Sequence, residues 1–532
     1  MTRAPRPRRP RRVADRTGTP GPARSEAGGG AAPTTDLSTR PAGRPVVTLA
    51  AVLVGYLILP MLASGTTVAL PSIGAELNAS GAALQWVVVG YFLAAASVML
   101  VAGSLADLFG RRRVFAAGAA LYAAATLLCA LAADILLLDA ARTLAGVGAG
   151  GVMAGGGATL GGTFTGPARN RAYAVMGTTA GVGMAAGPTL SGWMIGTLGW
   201  RATFVVFAVA GLLMLVGAVF TAESRAAARP RIDVAGAVAF VAALSLVMFG
   251  VNRAAGTGWG SPSVLVPLAA GSALLVMFAL IESRSPHPVL HLGLLRLRRF
   301  MAWCLACLCV GAGAGGVTTF LPTYLQGVNG VSAQGAGLTM LMMTTPVLVV
   351  PPLGARLVNR GIPARDLITV SLLLIAAGNA WLTVLHPGIG VLGLAGPLVA
   401  IGTGMGLGLG IADAQTVSQV EPDRIGMATG LLNTIRAGGS TLVTTVFGTT
   451  LTTLLQARIG DGASAARIAA GDLSGPGRAL HAAQFTEAWH IMLWCTAAAV
   501  AAAAVAVRVM LRAGREEAES RSDPRRARAV ER

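Results

Sequence analysis

The stretch GSLADLFGRRR, residues 103–113, places an aspartate, two glycines and three consecutive arginines inside a chain that is mostly Ala, Leu, Val and Gly on either side. The composition explains the flanks. Of 532 residues 54% are hydrophobic and 12% charged, whereas a soluble globular domain carries about 25% charged residues. The mean hydropathy is +0.68. The apolar surplus comes in runs of roughly 20 residues, enough for a helix to cross a hydrocarbon core about 30 Å thick. In lipid only helices and closed barrels satisfy every backbone group. Barrel strands alternate polar and apolar residues, and these runs do not. The chain reads as an all-α, multi-pass membrane protein.

Fourteen spans are expected, near 47–70, 84–105, 114–132, 135–157, 172–194, 203–221, 233–251, 263–281, 301–323, 336–357, 367–385, 392–412, 427–454 and 488–510. Arginine tests the count. The even-numbered loops hold Arg111 to Arg113, Arg169, Arg171, Arg225, Arg229, Arg231, Arg284, Arg296, Arg298, Arg299, Arg356, Arg360, Arg365 and Arg424. The odd loops hold Arg201 and Arg253 until the last, 455–487, which carries Arg458, Arg467 and Arg478. Both termini are Arg-rich. An even number of spans with both ends in the cytoplasm satisfies the positive-inside rule, and the opening stretch becomes the cytoplasmic turn between spans two and three. The net charge of +19, carried by Arg with no Lys, therefore calls for no nucleic-acid partner.

Residues 1–45, with ten Arg and many Pro and Gly, read as a disordered basic cytoplasmic tail. RRPRR has the look of a twin-arginine export signal, but the first apolar run starts more than thirty residues later, which favours a plain tail. Residues 511–532 form a second cytoplasmic tail. Cys304, Cys307 and Cys309 cluster in WCLACLCV. A metal or redox cluster would need a His or carboxylate nearby, and that segment has none, so they read as small apolar residues in a helix. No metal site and no cofactor are expected.

Near the other end of the chain, PLGARLVNRGIPAR (352–365) follows span ten and again sets small residues, one polar residue, then Gly and Arg at the inner end of an apolar helix. Asp107 corresponds to Asn359. The echo implies two related halves, a pattern of transporters whose site lies between the repeats.

Three motifs then carry a family resemblance over residues 46–510. GSLADLFGRRR is similar to the loop motif between helices two and three of the major facilitator superfamily. LDAARTLAGVGAG (138–150) resembles its helix-four motif, whose arginine falls on Arg142. GVGMAAGPTLSG (181–192) resembles the helix-five motif of exporters, with Gly183, Gly187, Pro188 and Gly192 in register and Ser191 where the family usually has Gly. The resemblance is to the fourteen-helix drug:proton antiporter branch. It implies a six-helix bundle over 46–222, an inserted two-helix hairpin with its linkers over 223–299, and a second six-helix bundle over 300–510. It also implies alternating access, with a proton gradient as the energy source and no bound cofactor. A monomer in a bacterial cytoplasmic membrane is expected, with protons, lipid and a small-molecule substrate as its partners.

The motifs make physical sense as moving parts. Gly103 and Gly110 allow close packing and unusual dihedrals. Asp107 is suited to cap a helix start or to pair with an Arg across the bundle interface. Arg111 and Arg112 serve either that gate or topology alone. Gly183 and Gly187 are spaced for close helix approach, and Pro188 removes a backbone hydrogen bond and is expected to kink the helix; the motif reads as a flexible seam between the bundles. Charges within spans are functional candidates by default. They are Arg142, with Asp139 three residues earlier as its partner or at the outer rim, and Arg436 near the midplane of span thirteen, with Asn433 on its face. The alternative for Arg436 is a structural clamp. Asp413, Glu487 and His490 lie near span ends, as interface residues or proton carriers.

The match fails in two places. The aspartate that the family's first helix usually carries falls on Leu62, and its Asn on Thr67; the usual Asn-x-Pro after Trp200 is absent. With Arg142 and Arg436 in place, the cavity is expected to favour a neutral or anionic compound, and proton coupling to run through Asp139, Glu487 or Asp413. The expected function is efflux of a drug, antibiotic or natural product. An uptake permease and a non-transporting receptor are the alternatives. No HExxH, GxSxG or phosphate loop supports an enzyme.

Overall fold

The computed structural model describes residues 45–79, 81–221, 223, 233–285, 288–469, 471–473 and 477–522. Residues 1–44, and with them the basic tail and RRPRR, lie outside this set. The described residues form helices α1 (Pro45–Glu76), α2 (Gly81–Phe109), α3 (Arg111–Ala130), α4 (Ile135–Thr163), α5 (Gly166–Val219), α6 (Val234–Thr257), α7 (Pro262–Arg284) and a short α8 (Gly293–Arg296). There follow α9 (Arg298–Gly327), α10 (Ala333–Asn359), α11 (Ala364–Trp381), α12 (Ala395–Gly408), α13 (Ile411–Ser418), α14 (Ile425–Ile459), α15 (Gly462–Ala469) and α16 (Arg478–Ser522).

Among the described residues twelve helical stretches are long and apolar enough to cross a membrane. The expected count of fourteen is compatible with this. The 54-residue α5 is two helices joined at Gly199, whose φ of 81° and ψ of 163° are not helical; span five is its first part. α14 has 35 residues, about 52 Å at 1.5 Å per residue, although it is more polar than the twelve. Two expectations are corrected. Span twelve is not one helix: Gly410, at φ 74°, breaks it into α12 and α13. The backbone stays helical through Pro188 and leaves helical φ/ψ at Gly199. The last span also begins ten residues earlier than expected, at Arg478, and its helix continues to Ser522.

Local sequence sets the ends. Asp134, Asp233 and Ser332 cap α4, α6 and α10 by accepting from Leu137, Gly236 and Gly335 N–H, which satisfies donors that a helix start leaves free. Gly110 turns α2 into α3 at φ 115°, a backbone that other residues rarely adopt.

Most of the buried residues fall into two bundles, with a few shared across them: Ala414, Val417 and Ile425 join the first core and Leu100 the second. One core runs from Val52 to Ala218 and centres on Tyr56, Phe115, Tyr122 and Phe207. The other bundle has a core at each end, one around Phe300, Trp303 and Leu372, the other around Tyr324, Phe447 and Trp489. The α6–α7 hairpin closes on itself through Phe240 and Phe278. It touches both bundles: Ser245 donates to Ser97 of α2 at 3.1 Å, and Met248 reaches Gly438 of α14.

Candidate functional site

At the arginine-rich end α2 and α14 cross so closely that only glycine fits. A methyl on Gly103 would collide with the Gly426 carbonyl, and one on Gly430 would sit 2.5 Å from the Met99 carbonyl oxygen. Farther along, Thr434 donates to the Ala96 carbonyl at 3.2 Å. Asp107 closes the crossing. Its Oδ1 accepts from Gly426 N–H at 2.8 Å and its Oδ2 from Met427 N–H at 2.9 Å. These are free donors in the first turn of α14, where the helix dipole also favours an anion. Arg111, one turn later, donates to Asp107 Oδ1 through Nη2 (3.0 Å) and Nε (3.2 Å), and to the Pro422 carbonyl. Both side chains are buried. The three arginines thus divide: Arg111 belongs to the clamp, Arg112 donates to Thr221 O at 3.5 Å, and Arg113 is exposed beside Glu223.

The second copy of the motif makes a second clamp. Asn359, at the end of α10, accepts from Asn170 Nδ2 at 2.8 Å and donates to Pro167 O at 3.2 Å. Both partners lie within the first five residues of α5. Gly177 and Gly181 line the same seam, against Leu409 and Val347. The sequence echo of Asp107 in Asn359 is therefore a pair of like contacts, α2 on α14 and α10 on α5, each joining one bundle to the other.

Between the two clamps lies a polar cluster. Arg436 donates through Nη1 to both oxygens of Asp413, at 3.2 and 3.1 Å, and through Nη2 to Asn433 Oδ1. Asp413 is 3% exposed, whereas the Arg436 side chain keeps 22% of its surface. The broken twelfth span makes the pairing possible, because Asp413 stands in the first turn of α13 just beyond the break. Tyr56 and Tyr173 of the other bundle line the same small recess with Met176 and Thr429.

Arg142 is also fully buried, but it points into its own bundle. Its Nε donates to Val87 O at 2.9 Å and its guanidinium stacks on Tyr91, 4.4 Å from the ring centre. Nη1 and Nη2 have no hydrogen-bond partner among the described residues, nor has Asp139 Oδ1. No ion pair between Asp139 and Arg142 occurs among the described residues. Glu487 pairs with Arg458 and is 63% exposed; His490 lies against Leu385 O. Leu62, where the family usually carries an aspartate, lines a cavity of about 10 Å³ with Thr66, Ser191, Trp200, Thr203 and Phe204, room for about one water.

The helix-five motif splits: Gly181 lies on the seam between bundles, but Gly183 and Gly187 face inward within their own bundle, which corrects the reading of those two as part of a seam. A methyl on Gly183 would strike the Leu57 carbonyl, and one on Gly187 would lie 2.5 Å from the Met61 carbonyl oxygen. Both contacts are with α1. Gly192 is looser, 3.6 Å from Val68 Cγ1. At this far end Trp200 Nε1 donates to Glu76 Oε2 at 2.6 Å and Arg201 Nε to Oε1 at 2.9 Å. These bonds, that of Trp200 first, hold the Glu76 carboxyl below its ordinary range.

The sequence profile described as Major Facilitator Superfamily matches residues 52–444. The chain belongs to that superfamily. It is a multi-pass membrane transporter, not an enzyme. It is 36% identical over 382 residues to the cephamycin export protein CmcT of Amycolatopsis lactamdurans, covering 70% of this chain and 78% of the relative. It is 30% identical over 423 residues to the tetracenomycin C resistance and export protein of Streptomyces glaucescens, covering 79% and 77%. Against the multidrug resistance protein Stp of Mycobacterium tuberculosis it is 31% identical over 417 residues, covering 78% and 77%. The structure is similar to that of the human organic anion transporter MFSD10, with a TM-score of 0.52 at 16% identity, over 85% of this chain and 98% of that one. At that identity the likeness speaks for the fold alone.

Within this superfamily fold, sequence reading missed two polar centres. One is the Glu76–Trp200–Arg201 tie. The other is Glu282, 4% exposed near the end of α7, which accepts from the backbone N–H groups of Val289 and Leu290. A carboxylate two residues before Arg284 looks like a solvated rim charge, and nothing local in the sequence signals its burial.

Proposed function

We propose that the chain exports small amphipathic compounds (a drug, antibiotic or natural product) across the cytoplasmic membrane. The curated relatives named as export and resistance proteins support the direction. The observation that carries the mechanism is the pair of clamps at one end. They combine polar contacts and glycine crossings with a modest apolar contact, in which Leu100 of α2 packs with Met427 of α14 and Ala414, Val417 and Ile425 join the first bundle's core. Most of each core lies within its own bundle, so the clamps can part without dismantling either bundle. With the arginine-rich end in the cytoplasm, the described state is closed to the cytoplasm, and rocking the bundles opens it.

The energy comes from protons entering the cell. Of the three candidate carriers, Asp413 and Asp139 are buried and Glu487 is exposed, which favours the first two. Arg436 retains some exposure at the bundle junction, and Leu62 supplies no negative charge, so the substrate is neutral or anionic.

The test is uptake into everted vesicles under an imposed proton gradient. Accumulation of a phenolic or acidic antibiotic, with proton release driven by that compound, is expected. Preference for ethidium-type cations would overturn the substrate class. Absence of any substrate-linked proton flux would overturn the coupling.

A further inference from the structure

The segment after α7 lies directly on the gate. Val289 O accepts from Ser104 Oγ of α2 at 2.7 Å, three residues before Asp107. His291 N–H donates to Met427 Sδ at 3.3 Å, and Met427 is the α14 residue whose own N–H binds Asp107. One short strap therefore touches both halves of the α2–α14 clamp. Val289, Leu290 and Leu294 are buried in the same core as Leu100 and Met427.

Glu282 holds the strap. Its Oε1 accepts from Val289 N–H at 3.1 Å and its Oε2 from Leu290 N–H at 3.3 Å. The carboxylate also fills the space above Gly236 of α6, where a methyl would lie 2.8 Å from Oε1. Two adjacent backbone donors on two oxygens of one carboxylate fix the orientation of the peptide that carries the Val289 carbonyl. That carbonyl is the group Ser104 reads.

We infer that Glu282 is a positioning residue of the gate: through residues 289–291 it ties the α6–α7 hairpin to the α2–α14 clamp and favours the closed state. This rests on the alternating-access reading above and gives the hairpin a task in it. An amide at 282 keeps one acceptor and turns a donor toward a backbone donor, so the strap loosens while the volume stays the same. Weakening a charge-assisted hydrogen bond that holds the strap is expected to shift the gate equilibrium about tenfold toward open.

The experiment uses the full-length protein in everted vesicles with Thr434→Cys, a reporter beneath the α2–α14 seam. A membrane-impermeant maleimide is applied from the cytoplasmic face, and peptide mass spectrometry separates this site from the five native cysteines. Glu282→Gln is expected to raise the labelling rate about tenfold with the melting temperature held near that of the parent. Ser104→Ala is expected to do the same, and the double variant to add little, because both act through one strap. If Glu282→Gln does not fold, Ser104→Ala alone carries the test. Labelling within twofold of the parent in the single variants, or effects that multiply in the double, would overturn the inference. Vesicles without transport but with labelling that responds as expected would sink the transport reading and leave the strap standing.

Discussion

Gly103 and Gly426 meet backbone to backbone: a side chain on either would run into the carbonyl oxygen of the other. The crossing brings the first turn of α14 within reach of Asp107, so packing and the carboxylate clamp are one device. Overpacking of this kind costs about 1–3 kcal/mol. Gly103→Ala is therefore expected to disfavour the closed state about tenfold and to cut efflux comparably, with the fold retained. Transport in vesicles alongside a thermal melt checks this.

Arg111 binds Asp107 through two nitrogens and also reaches the Pro422 carbonyl. Lysine offers one point charge and cannot span these acceptors. Arg111→Lys is expected to lose most of the gating function, whereas Arg113→Lys, at an exposed position, leaves transport unchanged. Comparing the two variants by maximal transport rate tests the division of labour.

The helix-five motif gives a graded series. Gly183→Ala and Gly187→Ala each press on α1 backbone, while Gly192→Ala meets only Val68 Cγ1 at 3.6 Å. The first two are expected to lower the melting temperature in detergent and the third to leave it within a degree or so of the parent, since ordinary surface-like changes stay within about 0.5 kcal/mol.

Much of this was legible in the sequence, and the rest failed for physical reasons. The Asp107 motif and its echo at Asn359 were readable because polar residues at a helix end are conspicuous between apolar runs. The glycine register in the fifth span was readable too, but not its direction. Gly177 and Gly181 face the other bundle, and Gly183 and Gly187 face α1; which stripe meets which neighbour depends on helix rotation, which periodic small residues do not encode. The break in the twelfth span was hidden among the many glycines of GTGMGLGLG, where only Gly410 takes a positive φ. The Asp413–Arg436 pairing depended on that break, and so was out of reach.

Removing one partner of a buried ion pair strands the other charge. Asp413→Asn is expected to destabilise the protein by about 3 kcal/mol, and Asp413→Asn with Arg436→Gln together by less than Asp413→Asn alone. A double-mutant cycle of thermal stabilities measures it.

At the far end, the depressed Glu76 carboxyl predicts a pH signature. A carboxylate lowered by folding adds stability above its unfolded value, near 4.5, and that contribution fades as pH falls through the folded value. The melting-temperature gap between the parent and Glu76→Gln is therefore expected at neutral pH and to close in acid below the ordinary Glu range.

In the rocking cycle proposed above, the two clamps part once per round of transport. Asn170 and Asn359 touch across the α5–α10 seam, so cysteines at both positions, joined by a reducible thiol cross-linker, would hold that seam shut. Transport falling below about a tenth of the uncross-linked rate, and returning on reduction, is the result predicted by a cost of more than about 1.4 kcal/mol to opening. Full transport with the seam cross-linked would contradict it.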